Sequence, residues 1–201
     1  MAAGRQRAFD EETALDNAMD VFWQKGYVAT SLVDLTQAMG INKPSMYATF
    51  GNKEALYLKA RQHYLNKVAK SNLEYLYSDK PLKERIRDYF YQSLNNQCPT
   101  GNPRGCFVAT GIAESVSGEL PPSVANTIVE NRDLLENKLT EFLDAEQKAG
   151  NLSKTASPKH LACFMVTVLY GSSGLMRGGK SKVELEGNIE FVLQLVETNQ
   201  S

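Results

Sequence analysis

Between Leu35 and Lys53 the chain has no Asp or Glu, yet Lys43 and Lys53 both fall in that stretch. Over the whole sequence 22 Lys plus Arg stand against 23 Asp plus Glu, a net charge of −1. The gap in carboxylates is therefore local, and a polybasic binder of the histone kind is excluded. In a helix advancing about 100° per residue, Met46 and Phe50 share an inner face. Pro44, Ser45 and Ala48 then point outward, with Lys43, Tyr47 and Thr49 on the flanks. A small, polar, acid-free helix surface fits the roughly 12 Å major groove of DNA and suits its phosphates.

Other reactive residue types are sparse. Cys98, Cys106 and Cys163 are odd in number and have no C-x-x-C spacing, which fits a reducing compartment. Cys106 follows the Pro/Gly-rich run Cys98–Gly105 and opens an apolar segment, with Arg104 two residues before it. That position suits an oxidant- or electrophile-sensing thiol, the plainer reading being a small apolar residue filling a helix start. His63 and His160 have no His or Cys four residues away, so no metal site is assigned. There is no G-x-S-x-G, G-x-G-x-x-G or P-loop, and Gly171-Ser-Ser-Gly174 lacks the required spacing. No catalytic residue and no cofactor is assigned, and an enzyme is not expected.

The positioning elements read as helices throughout. At 201 residues the chain can bury roughly 70% of its unfolded surface without disulfides or metals. Hydrophobic residues make up 42% and charged residues 22%, an ordinary globular balance. The longest apolar run, Leu161 to Tyr170, is broken by Thr167 and is too short to span a bilayer. The basic start Met1-Ala-Ala-Gly-Arg-Gln-Arg7 leads into acidic residues instead of an apolar leader, so a cytoplasmic protein is expected. Strand alternation is nearly absent, whereas Leu15, Ala18, Met19 and Phe22 form an i, i+3, i+4, i+7 stripe. Asp10 caps that first helix and Gly26 ends it; Thr30 or Ser31 caps a second, which Gly40 ends; Asn42 caps a third. Asn52 caps a long helix from Lys53 to about Tyr77, and five more helices reach about Thr198. The fold class is all-α, with about nine helices.

Two short helices joined by Gly40-Ile41-Asn42 and packed on a preceding amphipathic helix have the layout of a helix-turn-helix. The residues Ala14-Leu15 through Phe22, Gly26-Tyr27, Thr30-Ser31, Ala38-x-Gly40-Ile41 and Met46-Tyr47-x-x-Phe50-x-x-Lys53-Glu54-Ala55-Leu56 carry this further. Over about the first 60 positions the chain resembles the TetR-type one-component transcriptional regulators. The resemblance implies that Thr30, Ser31, Tyr47 and Lys53 meet DNA phosphates. It also implies that Asn42, Lys43, Pro44 and Ser45, with Ala48 and Thr49, face bases of a double-stranded operator. Pro44 and Ala48-Thr49 depart from the side chains common at those places, which leaves the operator sequence open. Arg5 and Arg7 are placed to reach an adjacent groove, the plainer and favoured reading being a disordered terminal tail.

The same resemblance implies a helix-turn-helix domain over residues 1–52 and an effector-binding and dimerisation domain over 53–201. A small-molecule effector is expected in a cavity behind the fourth helix, with Tyr64, Phe90, Leu94, Cys106, Phe107, Thr110, Phe164 and Met165 as its lining. The all-round apolar segment at 161–170 and the stripe of the last helix point to a homodimer interface. Its expected residues are Leu161, Met165, Val168, Leu169, Leu185, Ile189, Val192, Leu193 and Val196. Such a dimer would set two recognition helices about 34–36 Å apart, or a multiple of that. The competing reading is a helical adaptor that binds a protein partner and has lost its DNA contact.

Overall fold

The computed structural model describes residues 9–98 and 105–196. Arg5, Arg7 and Arg104 lie outside them. The described residues form α1 (Glu11–Lys25), α2 (Leu32–Met39), α3 (Lys43–Phe50) and α4 (Lys53–Tyr64). A π-helical turn (Leu65–Ala69) carries α4 directly into α5 (Lys70–Glu74) and a 3-10 turn (Tyr75–Tyr77). Then follow α6 (Leu82–Gln97), α7 (Phe107–Ser115), α8 (Pro122–Lys148), α9 (Pro158–Arg177) and α10 (Lys182–Leu195). Counting α4 and α5 as one rod gives nine helices among the described residues, with no strand. None of these helices is long and apolar enough to cross a membrane.

Each short N-terminal helix is delimited by its own side chains. Asp10 caps α1 by accepting from the Thr13 N–H at 2.9 Å, and Asn42 and Asn52 cap α3 and α4 through Ser45 N–H and Ala55 N–H. Ser31 and Asp34 form a reciprocal capping box on α2. Gly40 ends α2 in the left-handed region, φ 65°, so that the chain can turn sharply into α3. Met46 and Phe50 are buried in one core with Ala14, Ala18, Met19 and Phe22 of α1.

Packing does not divide at residue 52. The core around α1 to α4 is continuous with Phe107 and Val108 of α7 and with Val124 and Ile128 of α8. A second core joins α6, α9, α10 and the C-terminal half of α8. The α4–α5 rod is thus shared between the units that the sequence suggests.

The expected dimer residues need correction. Leu161, Met165, Leu169, Leu185, Ile189, Val192, Leu193 and Val196 are buried inside the protomer, and Val168 is half-buried against the same core. Their apolar stripe is covered by α6 and α8, which pack on α10 and α9 within the one chain. The outward stripe is a different set: Phe164, Thr167, Gly171, Gly174 and Leu175 on α9, and Val183, Gly187, Phe191 and Leu195 on α10. Phe191 is 68% exposed and Val183 76%. Open space surrounds Gly171, Gly174 and Gly187, so another backbone can approach closely there.

Candidate nucleic-acid interface and ligand cavity

Helix α3 presents Lys43, Pro44, Tyr47 and Ala48 to solvent, with Ser45 and Thr49 half-buried beside them. The Tyr47 ring stands 46% exposed. Asn42 is exposed while its side-chain oxygen holds the Ser45 N–H at 2.9 Å, which leaves its NH2 group outward. Lys53 opens α4, where the helix dipole is positive and a cation is disfavoured. Its ammonium lies 4.4 Å from the centre of the Tyr27 ring, and no carboxylate pairs with it among the described residues. Burial lowers its pKa, against the opposing pull of Glu114. Lys53 is thus a partly buried cation held at the positive end of a helix.

At the start of α2 the residues expected on DNA separate. Ser31 is exposed, but its N–H and its hydroxyl both go to the Asp34 carboxylate, at 2.9 and 2.8 Å. Lys25 pairs with the same carboxylate at 2.6 Å, and with the Ser31 bonds it holds Asp34 far below the usual range. Thr30 is 2% exposed and its hydroxyl donates to the Gly26 carbonyl at 2.5 Å. Thr30 is therefore a buried turn residue rather than a phosphate ligand, because the chain tucks its side chain under the α1–α2 turn.

That turn is held from behind by three groups not identified from the sequence. The Glu114 carboxylate on α7 accepts from Tyr27 N–H and Val28 N–H at 2.9 and 3.1 Å. The Arg177 guanidinium, at the end of α9, donates to the carbonyls of Trp23 and Gln24. The Trp23 indole donates to the Gly105 carbonyl at 2.7 Å. The one sequence signal for this was Gly26, at φ 80°, where a Cβ would stand 2.3 Å from the Glu114 carboxylate.

A cavity of about 490 Å³ opens between the α4–α5 rod, α6, α8 and α9. The π-helical turn supplies Leu65, Asn66 and Ala69 to its wall; such turns recur at functional sites. Of the expected lining, Tyr64 and Cys106 belong to it. Thr110 lines instead a second hollow of about 570 Å³ between α7 and α9. Phe90, Leu94, Phe107 and Met165 are packed core, and Phe164 is 40% exposed on the outer side of α9. Arg61, 1% exposed, lies beneath the cavity wall, where Asn131 accepts from its Nε at 3.2 Å and its Nη2 at 3.1 Å.

Comparison with known proteins gives three results. Residues 14–60 match the family described as bacterial regulatory proteins, tetR family. The HTH-type transcriptional repressor ComR of Escherichia coli K12 is 34% identical over 185 residues, 90% of this chain and 86% of ComR. The repressor BdcR of the same strain is 28% identical over the same shares. Among solved structures, the TetR family regulator CifR, a cysteine mutant complexed with 26-base-pair operator DNA, superposes with a TM-score of 0.86. It is 30% identical, over 96% of this chain and all of CifR. NemR of E. coli in its reduced form reaches a TM-score of 0.82 at 20% identity, a likeness of fold.

Proposed function

Because this chain belongs to the TetR family of bacterial regulatory proteins, and so is a DNA-binding transcriptional regulator, we propose that it is a cytoplasmic repressor released from a palindromic operator by a small-molecule effector. The observation that carries this reading is the acid-free face of α3, with Lys43 and Tyr47 exposed and the Lys53 ammonium over the Tyr27 ring at the start of α4. Lys43 is the base-reading candidate, a bidentate contact of this kind discriminating by about 1–3 kcal/mol. Tyr47 and Lys53 position the helix on phosphate oxygens, and Asn42, Pro44, Ser45, Ala48 and Thr49 complete the surface in the groove. Ser31 can present its exposed hydroxyl oxygen at the groove edge.

The cavity behind α4 is the effector site in this reading. Its wall includes the rod whose first residue is Lys53, so an occupant that changes the rod changes the pose of the DNA-binding unit. A coupling of about 1–3 kcal/mol suffices for such a response. The outward stripes of α9 and α10 pair with those of a second copy, and the two-fold axis places two α3 helices on one face of the duplex. The protein acts by binding, without a catalytic step.

The test is fluorescence anisotropy with DNA from immediately upstream of its own gene, beside scrambled DNA, across a salt series. Sequence-preferring binding with a steep negative salt slope, weakened in Lys43→Ala and Tyr47→Ala, supports the reading. Absence of binding at any salt overturns it in favour of the adaptor.

A further inference from the structure

Cys106 stands where the cavity meets the DNA-binding unit. Its sulfur is 3.6 Å from the Tyr64 hydroxyl, on a wall that also includes Tyr89, Gln97 and Tyr170. The backbone around it is fixed: Cys106 N–H donates to Ser173 Oγ at 2.6 Å, and Gly105 N–H to the Gln97 carbonyl at 3.0 Å. Two other groups on this wall have no partner. The Tyr170 hydroxyl is buried without an acceptor, and Gln97, 4% exposed, has a carboxamide oxygen without a donor. Buried polar groups left unpaired are rare and costly, so each marks a place for a complementary atom. Burial, followed by the electrostatic influence of the neighbouring Cys106, holds the phenols of Tyr64, Tyr89 and Tyr170 far above their usual range, which keeps them as protonated donors. The charged side chains of the lining, Lys70, Glu74 and Lys138, are all exposed and sit at the rim. The inner wall therefore offers a thiol, a hydroxyl donor and an amide acceptor, with no charge.

We propose that Cys106 is a covalent capture site for an uncharged α,β-unsaturated carbonyl compound bearing a hydroxyl group, with Tyr170 taking the carbonyl oxygen and Gln97 the hydroxyl. This rests on the cavity being the effector site and names the chemistry of its occupant. The Cys106 sulfur attacks the β-carbon: the C–S bond forms as the C=C π bond breaks, and its electron pair moves to the carbonyl oxygen as an enolate held by Tyr170. The thiol proton, relayed through the Tyr64 hydroxyl, ends on the α-carbon as the carbonyl re-forms. Nothing leaves, and no oxidant is needed. The product is a thioether.

The adduct is read one residue away. Gly105 holds the Trp23 indole at 2.7 Å, and the Trp23 ring meets the Tyr64 ring edge-on at 4.9 Å. A substituent on Sγ displaces Tyr64 and shifts the Gly105–Cys106 segment, which loosens the hold on α1. Trp23 is the only tryptophan in the chain, so its emission reports this clamp.

The experiment treats the full chain with limiting 4-hydroxynon-2-enal or non-2-enal, each rate normalised to that with free glutathione. Adducts are mapped by peptide mass spectrometry, and Trp23 emission and DNA affinity are followed in parallel. The hydroxy-enal adds once, at Cys106, with a normalised preference of roughly tenfold. Gln97→Leu removes the preference and Tyr170→Phe slows both reagents. Trp23 emission shifts and DNA affinity falls at least about fivefold, while Cys106→Ser, checked for unchanged thermal unfolding, keeps its affinity under reagent. Addition confined to the exposed Cys163, equal normalised rates in the unsubstituted chain, or a Cys106 adduct that leaves emission and affinity unchanged would each overturn the proposal. Failure of the untreated protein to bind DNA overturns the regulator reading instead, and leaves the adduct map to stand by itself.

Discussion

Thr30 and Ser31 are neighbours with the same functional group, yet the fold gives them opposite surroundings. Thr30 donates to Gly26 inside the turn, whereas Ser31 caps α2 at the surface. Thr30→Val therefore leaves DNA affinity within about twofold while lowering stability by about 1 kcal/mol, the net worth of one buried hydrogen bond. Tyr47→Phe removes a hydroxyl on an exposed ring that makes no hydrogen bond among the described residues and that we propose meets a phosphate. It should weaken binding about tenfold, equally on all sequences, with unfolding unchanged. Titration of both variants beside chemical denaturation separates the two roles. Gly26 is a third instructive residue: at φ 80° and against the Glu114 carboxylate, Gly26→Ala should cost about 2 kcal/mol in urea unfolding. Removing the carboxylate as well, in the double variant with Glu114→Ala, should restore little, because the backbone strain stays.

At the scale of elements, capping chemistry made the N-terminal helices legible. Asp10, Asn42 and Asn52 each accept from the N–H three residues on, as their types and places in the sequence suggest. The outward face of α3 followed from Met46 and Phe50 alone. The cavity and the outer face of α9 did not, for a physical reason. Aromatic content says that a residue will be covered, but not whether by a neighbour in the core, a ligand or a second chain. On α9, Met165 and Phe164 are adjacent and similar in size, and only the placement of α8 decides that one is core and the other surface. The ion pair between α6 and α8 was invisible for the same reason, its partners being far apart in sequence. Arg85 grips Glu146 at 2.5 and 3.0 Å and donates to the Leu76 carbonyl, with both side chains largely buried. Burial raises the Glu146 pKa, but hydrogen bonds from Arg85 and Asn151 and the charge of Arg85 outweigh it and hold it below its ordinary 4.5. A depressed folded-state pKa contributes stability that is fully present above the unfolded value and is lost as pH falls through the folded one. Glu146→Gln should thus be destabilising at pH 7, with its gap to the unsubstituted chain closing as pH drops below about 4.5. Urea midpoints measured from pH 7 downward check the sign, and a gap that stayed constant would show that the pair contributes nothing through its charge.

For the whole molecule the decisive question is which surface makes the second copy necessary. The residues that looked too apolar for a monomer are already buried in one, so hydrophobic composition alone gives no reason to dimerise. We place the reason in what α9 and α10 leave outside: Phe164, Leu175, Val183, Phe191 and Leu195 are each exposed, and Gly171, Gly174 and Gly187 have open space around them. Large apolar side chains left exposed together are uncommon on a monomer, and we propose that these form the interface. Two classes of substitution should therefore behave differently. Phe191→Glu together with Leu175→Glu places like charges at the centre of the stripe; light scattering should show a monomer whose helix content and unfolding midpoint are those of a folded protomer. Val192→Ala, one residue from Phe191 but turned inward, should instead lower stability by about 1–3 kcal/mol and leave the dimer in place. DNA binding follows the first class and not the second. A single α3 that engages a half-site forgoes the high effective concentration its twin provides, so the monomeric variant should lose at least about a hundredfold in operator affinity. Its affinity for an isolated half-site should match that of one subunit of the unsubstituted protein. A Phe191→Glu, Leu175→Glu protein that remained dimeric would move the interface to another face, and with it the spacing of the two α3 helices on which operator recognition depends.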